Sequence, residues 1–154
     1  MIQFARLLAT WFGAGYAPKG PGTAGSLAAL LIAWLLVRYG GFGPISLGVL
    51  GLLTIAPAIW ASDVTARESG LKDPQIVVID EVVGQWITLA GAMRLNWISW
   101  LVALLLFRAF DIWKPPPVRQ LERVKGGAGI VLDDAMAGIY GALVLYAAGW
   151  FNLY

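Results

Sequence analysis

The polar groups able to do chemistry fall into four short stretches of the sequence. Asp80-Glu81-Val82-Val83-Gly84-Gln85 sets two carboxylates directly after the apolar run Ile76-Val77-Val78-Ile79. A carboxylate flanked by Ile79 and Val82 is costly to desolvate unless partnered, and such residues mark functional sites. The plainer alternative is a charge–dipole contact at a helix start. Arg108, Asp111 and Lys114 recur every third residue, hence on one helix face, before Pro115-Pro116-Pro117 ends the helix. An acid near a helix C-terminus opposes the dipole, so Asp111 calls for a cation or a metal. Glu122-Arg123-Val124-Lys125 leads through Gly126, Gly127 and Gly129 to the adjacent Asp133 and Asp134. Adjacent carboxylates repel unless a cation or hydrogen-bond donors share them; the plainer alternative is a double N-cap opening the last helix. Lys19-Gly20-Pro21-Gly22-Thr23-Ala24-Gly25-Ser26 reads as a helix start capped by Thr23 or Ser26, whose N–H groups and lysine suit a phosphate. It is not a nucleotide-binding P-loop, which needs Lys-Ser/Thr after its second glycine.

The chain has no histidine and no cysteine. That excludes disulfides, thiol nucleophiles, cysteine zinc sites, phospho-histidine chemistry and every histidine-based dyad. Carboxylates from three helix ends then describe a hard oxygen site, suited to Mg²⁺ or Mn²⁺ rather than zinc. Lys19, Arg108, Lys114, Arg119, Arg123 and Lys125 surround it in sequence. A metal and cations at a lipid–water boundary point to a substrate that is anionic and membrane-bound, and a lipid phosphate fits.

The elements that must position these groups are membrane helices. Of 154 residues, 59% are hydrophobic and 13% charged, about half the charge of a soluble domain. Net charge is only +2, which gives no reason to expect nucleic acid as a partner. Charge-free stretches from Lys19 to Arg38, Tyr39 to Ser62 and Ala135 to Tyr154 are long enough to cross a bilayer. Val82–Met93 and Leu95–Phe107, split by Arg94 and Asn96, are each short and predict two central helices, buried or re-entrant, or, extended by flanking residues, crossing a tilted or thinned bilayer. Ile2, Phe4, Leu7, Leu8, Trp11 and Phe12 predict a short N-terminal interfacial helix, or else a helical lead-in to the first span; a signal peptide is not expected. Residues 1–154 thus read as one membrane-embedded, all-α, polytopic bundle.

Alternating the five segments puts nine of the eleven basic residues, and all nine acids, at one surface; only Arg38 and Arg94 lie opposite. The positive-inside rule makes that surface cytoplasmic and sets Trp150, Phe151 and Tyr154 in an outer aromatic belt. Ala137 and Gly141 form a small-residue face that lets the last helix pack closely, bringing Asp133 and Asp134 near the other helix ends.

With these residues assembled, the chain resembles the phosphatidylglycerophosphatase A family over nearly its whole length. The resemblance rests on Pro21-Gly22-Thr23-Ala24-Gly25-Ser26, on Asp80-Glu81 with Gly84 and Trp86-Ile87-Thr88-Leu89, and on Phe107-Arg108 with Asp111-Ile112-Trp113-Lys114-Pro115 and Arg119. Gly126-Gly127-Ala128-Gly129-Ile130 with Asp133-Asp134 and Gly138 completes it. It implies a Mg²⁺-dependent hydrolase of the bacterial inner membrane that converts phosphatidylglycerophosphate to phosphatidylglycerol and phosphate. It also implies an acidic site of Asp80, Glu81, Asp111, Asp133 and Asp134, with Arg108 and Lys114 beside it. Where some family members carry a histidine, this chain has Asp73-Pro74-Gln75, so no imidazole is available there.

The expected chemistry follows. Glu81, Asp111, Asp134 and Asp80 hold the ion, Glu81 and Asp134 foremost, while Asp80 or Asp133 orients or deprotonates a water. Arg108, Lys114 and Lys125 neutralise developing charge, and Lys19, Thr23, Ser26 and Arg119 help to hold the phosphate. A covalent aspartyl-phosphate stays open, as do another lipid phosphomonoester, a non-catalytic membrane subunit and oligomerisation.

Overall fold

A computed structural model describes every residue, Met1–Tyr154. Seven helices follow in order: α1 (Ile2–Ala9), α2 (Pro21–Gly40), α3 (Pro44–Ser69), α4 (Ile79–Leu89), α5 (Trp97–Trp113), α6 (Val118–Leu121) and α7 (Gly127–Trp150). Three of them, α2, α3 and α7, are long and apolar enough to cross a bilayer. The all-α bundle of three spans and two shorter central helices is therefore the observed architecture.

The shortest central helix is its axis. Ten of the eleven residues of α4 are buried, and α2, α3, α5 and α7 all pack on it. At 1.5 Å per residue its eleven residues reach only about 16 Å, too short to cross a bilayer alone. Its burial on nearly every side fits the lack of charge from Val82 to Leu89. Close approach to α7 requires glycine on both helices: a Cβ on Gly138 would meet the Gly84 carbonyl oxygen at 2.5 Å. Thr88 stitches the same crossing, donating to the Gly84 and Gly138 carbonyls at 2.9 and 3.3 Å. The Trp86 indole donates to the Ala29 carbonyl at 3.0 Å and ties α4 to α2. The turn at Arg94–Asn96 is closed by a capping box, with Ser99 N–H donating to Asn96 Oδ1 at 2.9 Å.

Helix α1 is separate from the first span. Trp11, Phe12 and Gly13 take positive φ and a 3-10 turn follows at Ala14–Tyr16, so the continuous lead-in is not what forms. Ala5 and Ala9 pack inward, Ile2, Phe4 and Leu7 are exposed, and Arg6 pairs with Glu68 at the end of α3 at 2.7 Å.

Three local expectations are corrected. Helix α2 is capped by Gly20 at φ 61° with Pro21 following; neither Thr23 nor Ser26 caps it. The last helix begins at Gly127, eight residues before the predicted Ala135, so Asp133 and Asp134 lie in its second turn and are no double N-cap. The acids looked like a boundary because charge normally stays out of a span; here they face a polar cavity. Tyr154 does not join an outer belt with the exposed Trp150 and Phe151. Its hydroxyl folds back, donating to the Leu145 carbonyl at 2.9 Å and accepting from Met93 N–H at 3.2 Å.

Candidate active site

One end of the bundle holds a polar cavity of about 550 Å³. Its walls come from the start of α2 (Gly20–Thr23), the loop after α3 (Lys72, Asp73, Gln75), the start of α4 (Asp80, Glu81), the end of α5 (Arg108, Asp111, Lys114) and the early turns of α7 (Asp133, Asp134). Alternation of the helices brings these together, as their spacing in sequence implied. Arg38 and Arg94 lie among other residues, away from it.

Within the cavity the acids divide into two groups. Glu81 is held from two sides: the Arg108 guanidinium grips both its oxygens, and Ser26 Oγ donates to Oε2 at 2.7 Å. Arg108 also pairs with Asp111 at 2.9 Å, the i,i+3 contact that the sequence spacing predicts. This close packing needs glycine in α2, because a Cβ on Gly22 would collide with Glu81 Oε1. Lys114 belongs to a different cluster. It caps α5 at φ 50° and reaches Asp133 at 2.7 Å and Glu122 at 2.9 Å, so the ladder from Arg108 does not extend to it. Burial disfavours its charge, but the hydrogen bonds it donates to Asp133 and Glu122 more than offset that and hold its pKa above the ordinary lysine value. The raised pKa keeps Lys114 charged at neutral pH, and that charge is lost only in strong alkali.

Asp80 and Asp134, and the exposed Asp73 at the cavity rim, make no ion pair. Asp80 Oδ1 accepts only the N–H of Glu81, at 3.0 Å, and Asp134 has no side-chain hydrogen bond. Asp133 Oδ1 is likewise buried without a partner. Asp73, Asp80, Glu81, Asp111, Glu122, Asp133 and Asp134 line the cavity against only Lys72, Arg108 and Lys114, four more acids than bases. A phosphate dianion would be repelled unless further positive charge entered with it.

That charge imbalance and the all-oxygen donor set fit Mg²⁺. No three carboxylates are already gathered into a cage for an ion. Mg²⁺ does not require one, since it is held by one or two carboxylates with waters and substrate phosphate. The unpaired Asp80 and Asp134 suit it best. Glu81 and Asp111, also expected as ligands, both pair with Arg108, which offsets one of their two charges.

The expected phosphate binders scatter. Arg108 and Thr23 line the cavity, with Thr23 exposed at the first turn of α2. Ser26 lies beneath, wholly buried and spent on Glu81. Lys19 is not among the cavity walls. Lys125 faces a neighbouring groove with Asp63 and Arg67, and Arg119 a small cleft on the far side of Lys114. Sequence reasoning missed Glu122 as a partner of Lys114, and Asp63, whose Oδ1 accepts the Gly127 N–H at 3.3 Å and docks α7 on α3. The only signal for Asp63 was an acid on the last turns of an otherwise apolar helix.

A Bacteroides thetaiotaomicron protein, named provisionally as a phosphatidylinositol-3-phosphatase, is 39% identical over 94% of this chain and 92% of its own length. The phosphatidylglycerophosphatase A of Escherichia coli is 41% identical over 93% of this chain and 82% of its own. That of Haemophilus influenzae is 37% identical over 99% and 93%. No solved structure matches. A family model described as Phosphatidylglycerophosphatase A matches residues 7–149, and the chain belongs to the phosphatidylglycerophosphatase A family.

Proposed function

We propose that this protein hydrolyses the phosphomonoester of phosphatidylglycerophosphate, releasing phosphate and leaving phosphatidylglycerol in the membrane. The observation that carries the reading is one polar cavity at the end of an apolar bundle, gathering acids from α4, α5 and α7 together with Arg108 and Lys114. Family membership supports the substrate. The cavity faces the cytoplasm of a bacterial inner membrane, a placement supported by the clustering of basic residues at that end.

Asp80 and Asp134 would hold Mg²⁺. When bound, the ion supplies Lewis-acid polarisation of a phosphate oxygen and positive charge against the surplus carboxylates. The remaining work belongs to the chain. Arg108, fixed by Glu81 and Asp111, presents its outer face to the phosphate. The first-turn N–H groups of α2 at Gly22 and Thr23 add dipolar attraction. Lys114 keeps its proton and balances charge developing on the phosphoryl oxygens. Asp80 accepts the proton of the attacking water as the new P–O bond forms and the bond to the glycerol oxygen breaks; the departing alkoxide takes a proton from solvent and leaves as the lipid hydroxyl, while Asp80 gives its proton back to solvent. Glu81 and Ser26 touch no reacting atom and position Arg108.

The test is phosphate release by purified protein in detergent micelles. Phosphatidylglycerophosphate with Mg²⁺ should turn over, and excess EDTA should abolish turnover. Undiminished release in EDTA would contradict the metal assignment. Faster release from phosphatidylinositol 3-phosphate, the headgroup in one relative's name, would contradict the headgroup assignment.

A further inference from the structure

The cleft on the far side of Lys114 has no part in this chemistry. About 190 Å³ in volume, it is walled by Trp113, Pro115, Pro116, Arg119 and Arg123. Both arginines are exposed and neither pairs with an acid of the chain. Glu122, the acid between them in sequence, is already taken by Lys114. The cleft directly follows the last residue of α5, where Ile112 and Trp113 are 73% and 70% exposed. An exposed isoleucine and indole at a helix end mark the level of the lipid headgroups, where indoles concentrate. The walls are fixed: Val118 is fully buried beneath them, and the Tyr140 hydroxyl donates to the Pro116 carbonyl at 2.7 Å.

We propose that this cleft is a second lipid site, in which Arg119 and Arg123 bind the phosphodiester of an anionic phospholipid while Trp113 lies along its glycerol and upper acyl region. Guanidinium groups present paired N–H donors that match phosphate oxygens. The surrounding bilayer supplies the ligand at high local concentration, and its headgroups sit at the depth of the arginines. Lys114 contributes to the walls of both this cleft and the catalytic cavity. A lipid held here is thus the immediate neighbour of one under reaction.

Native mass spectrometry of the full chain in zwitterionic detergent tests this, with phosphatidylserine as an anionic diester that is neither substrate nor product. Arg119→Gln/Arg123→Gln should weaken phosphatidylserine binding by about twenty-five-fold, at roughly fivefold for each basic contact near a membrane surface. Trp113→Ala should weaken it with charge unchanged, and phosphatidylcholine should bind poorly throughout. Circular dichroism confirms that each variant keeps its helices. Equal phosphatidylserine affinity in wild type and both variants would overturn the proposal. So would full displacement by millimolar inorganic phosphate, which would assign the arginines to a free anion.

Discussion

Two sets of acids share one cavity and differ in what the chain gives them. Glu81, Asp111 and Asp133 are each met by a cation of the protein, and Glu81 by a serine as well. Asp80 and Asp134 are met by none. Charges brought together in a poorly solvated place need compensation, and where the chain supplies it the acid becomes architecture. Where the chain withholds it, the compensation must arrive with the reactants. The paired acids therefore set the positions of Arg108 and Lys114, and the unpaired ones are left for the ion and the water.

The largest effect should come from the unpaired set. Asp80→Asn should lower kcat by about a thousandfold or more, as removal of a group acting within a catalytic unit does, with the thermal midpoint held or raised. Steady-state phosphate release beside a thermal melt reads both.

The paired set should show the opposite balance. Glu81→Gln leaves Arg108 with half its partners. It should destabilise the fold by about 3 kcal/mol, the scale for breaking a largely buried pair, and lower activity by displacing Arg108. Chemical denaturation in detergent measures it. Lys114→Met strands Asp133 and Glu122 together and should destabilise less, since Glu122 is half exposed and regains solvent. Ser26→Ala removes one hydrogen bond to a charged group; a loss of about 1.5 kcal/mol and less than tenfold in rate is expected. At the far end of the bundle, Arg94→Gln should change neither readout measurably, because Arg94 forms no ion pair and lies outside the cavity.

Much of this was legible in the sequence because apolar stretches and basic residues obey simple rules. The three spans, the two short central helices and the gathering of acids at one end all follow from hydropathy and alternation. Which acids would be paired was not legible. Spacing put Arg108, Asp111 and Lys114 on one helix face, yet the proline run turns Lys114 out of register and into the reach of Glu122 and Asp133. Arg119 and Lys125 are near the site in sequence but on other faces of the turns that carry them. The start of α7 was misplaced because two aspartates in its second turn resemble a membrane boundary. The close approach of the Asp134 carbonyl to Gly84 shows that this turn already lies against α4.

The most direct test of the division between paired and unpaired acids is phosphate release and unfolding measured on the same preparations of wild type and Asp134→Asn, with Mg²⁺ saturating. Turnover should fall by about a thousandfold or more while the melting temperature is unchanged or raised, because a repulsive carboxylate is gone. Wild-type turnover in Asp134→Asn, or a collapse of its stability, would contradict the assignment of chemistry to the unpaired acids.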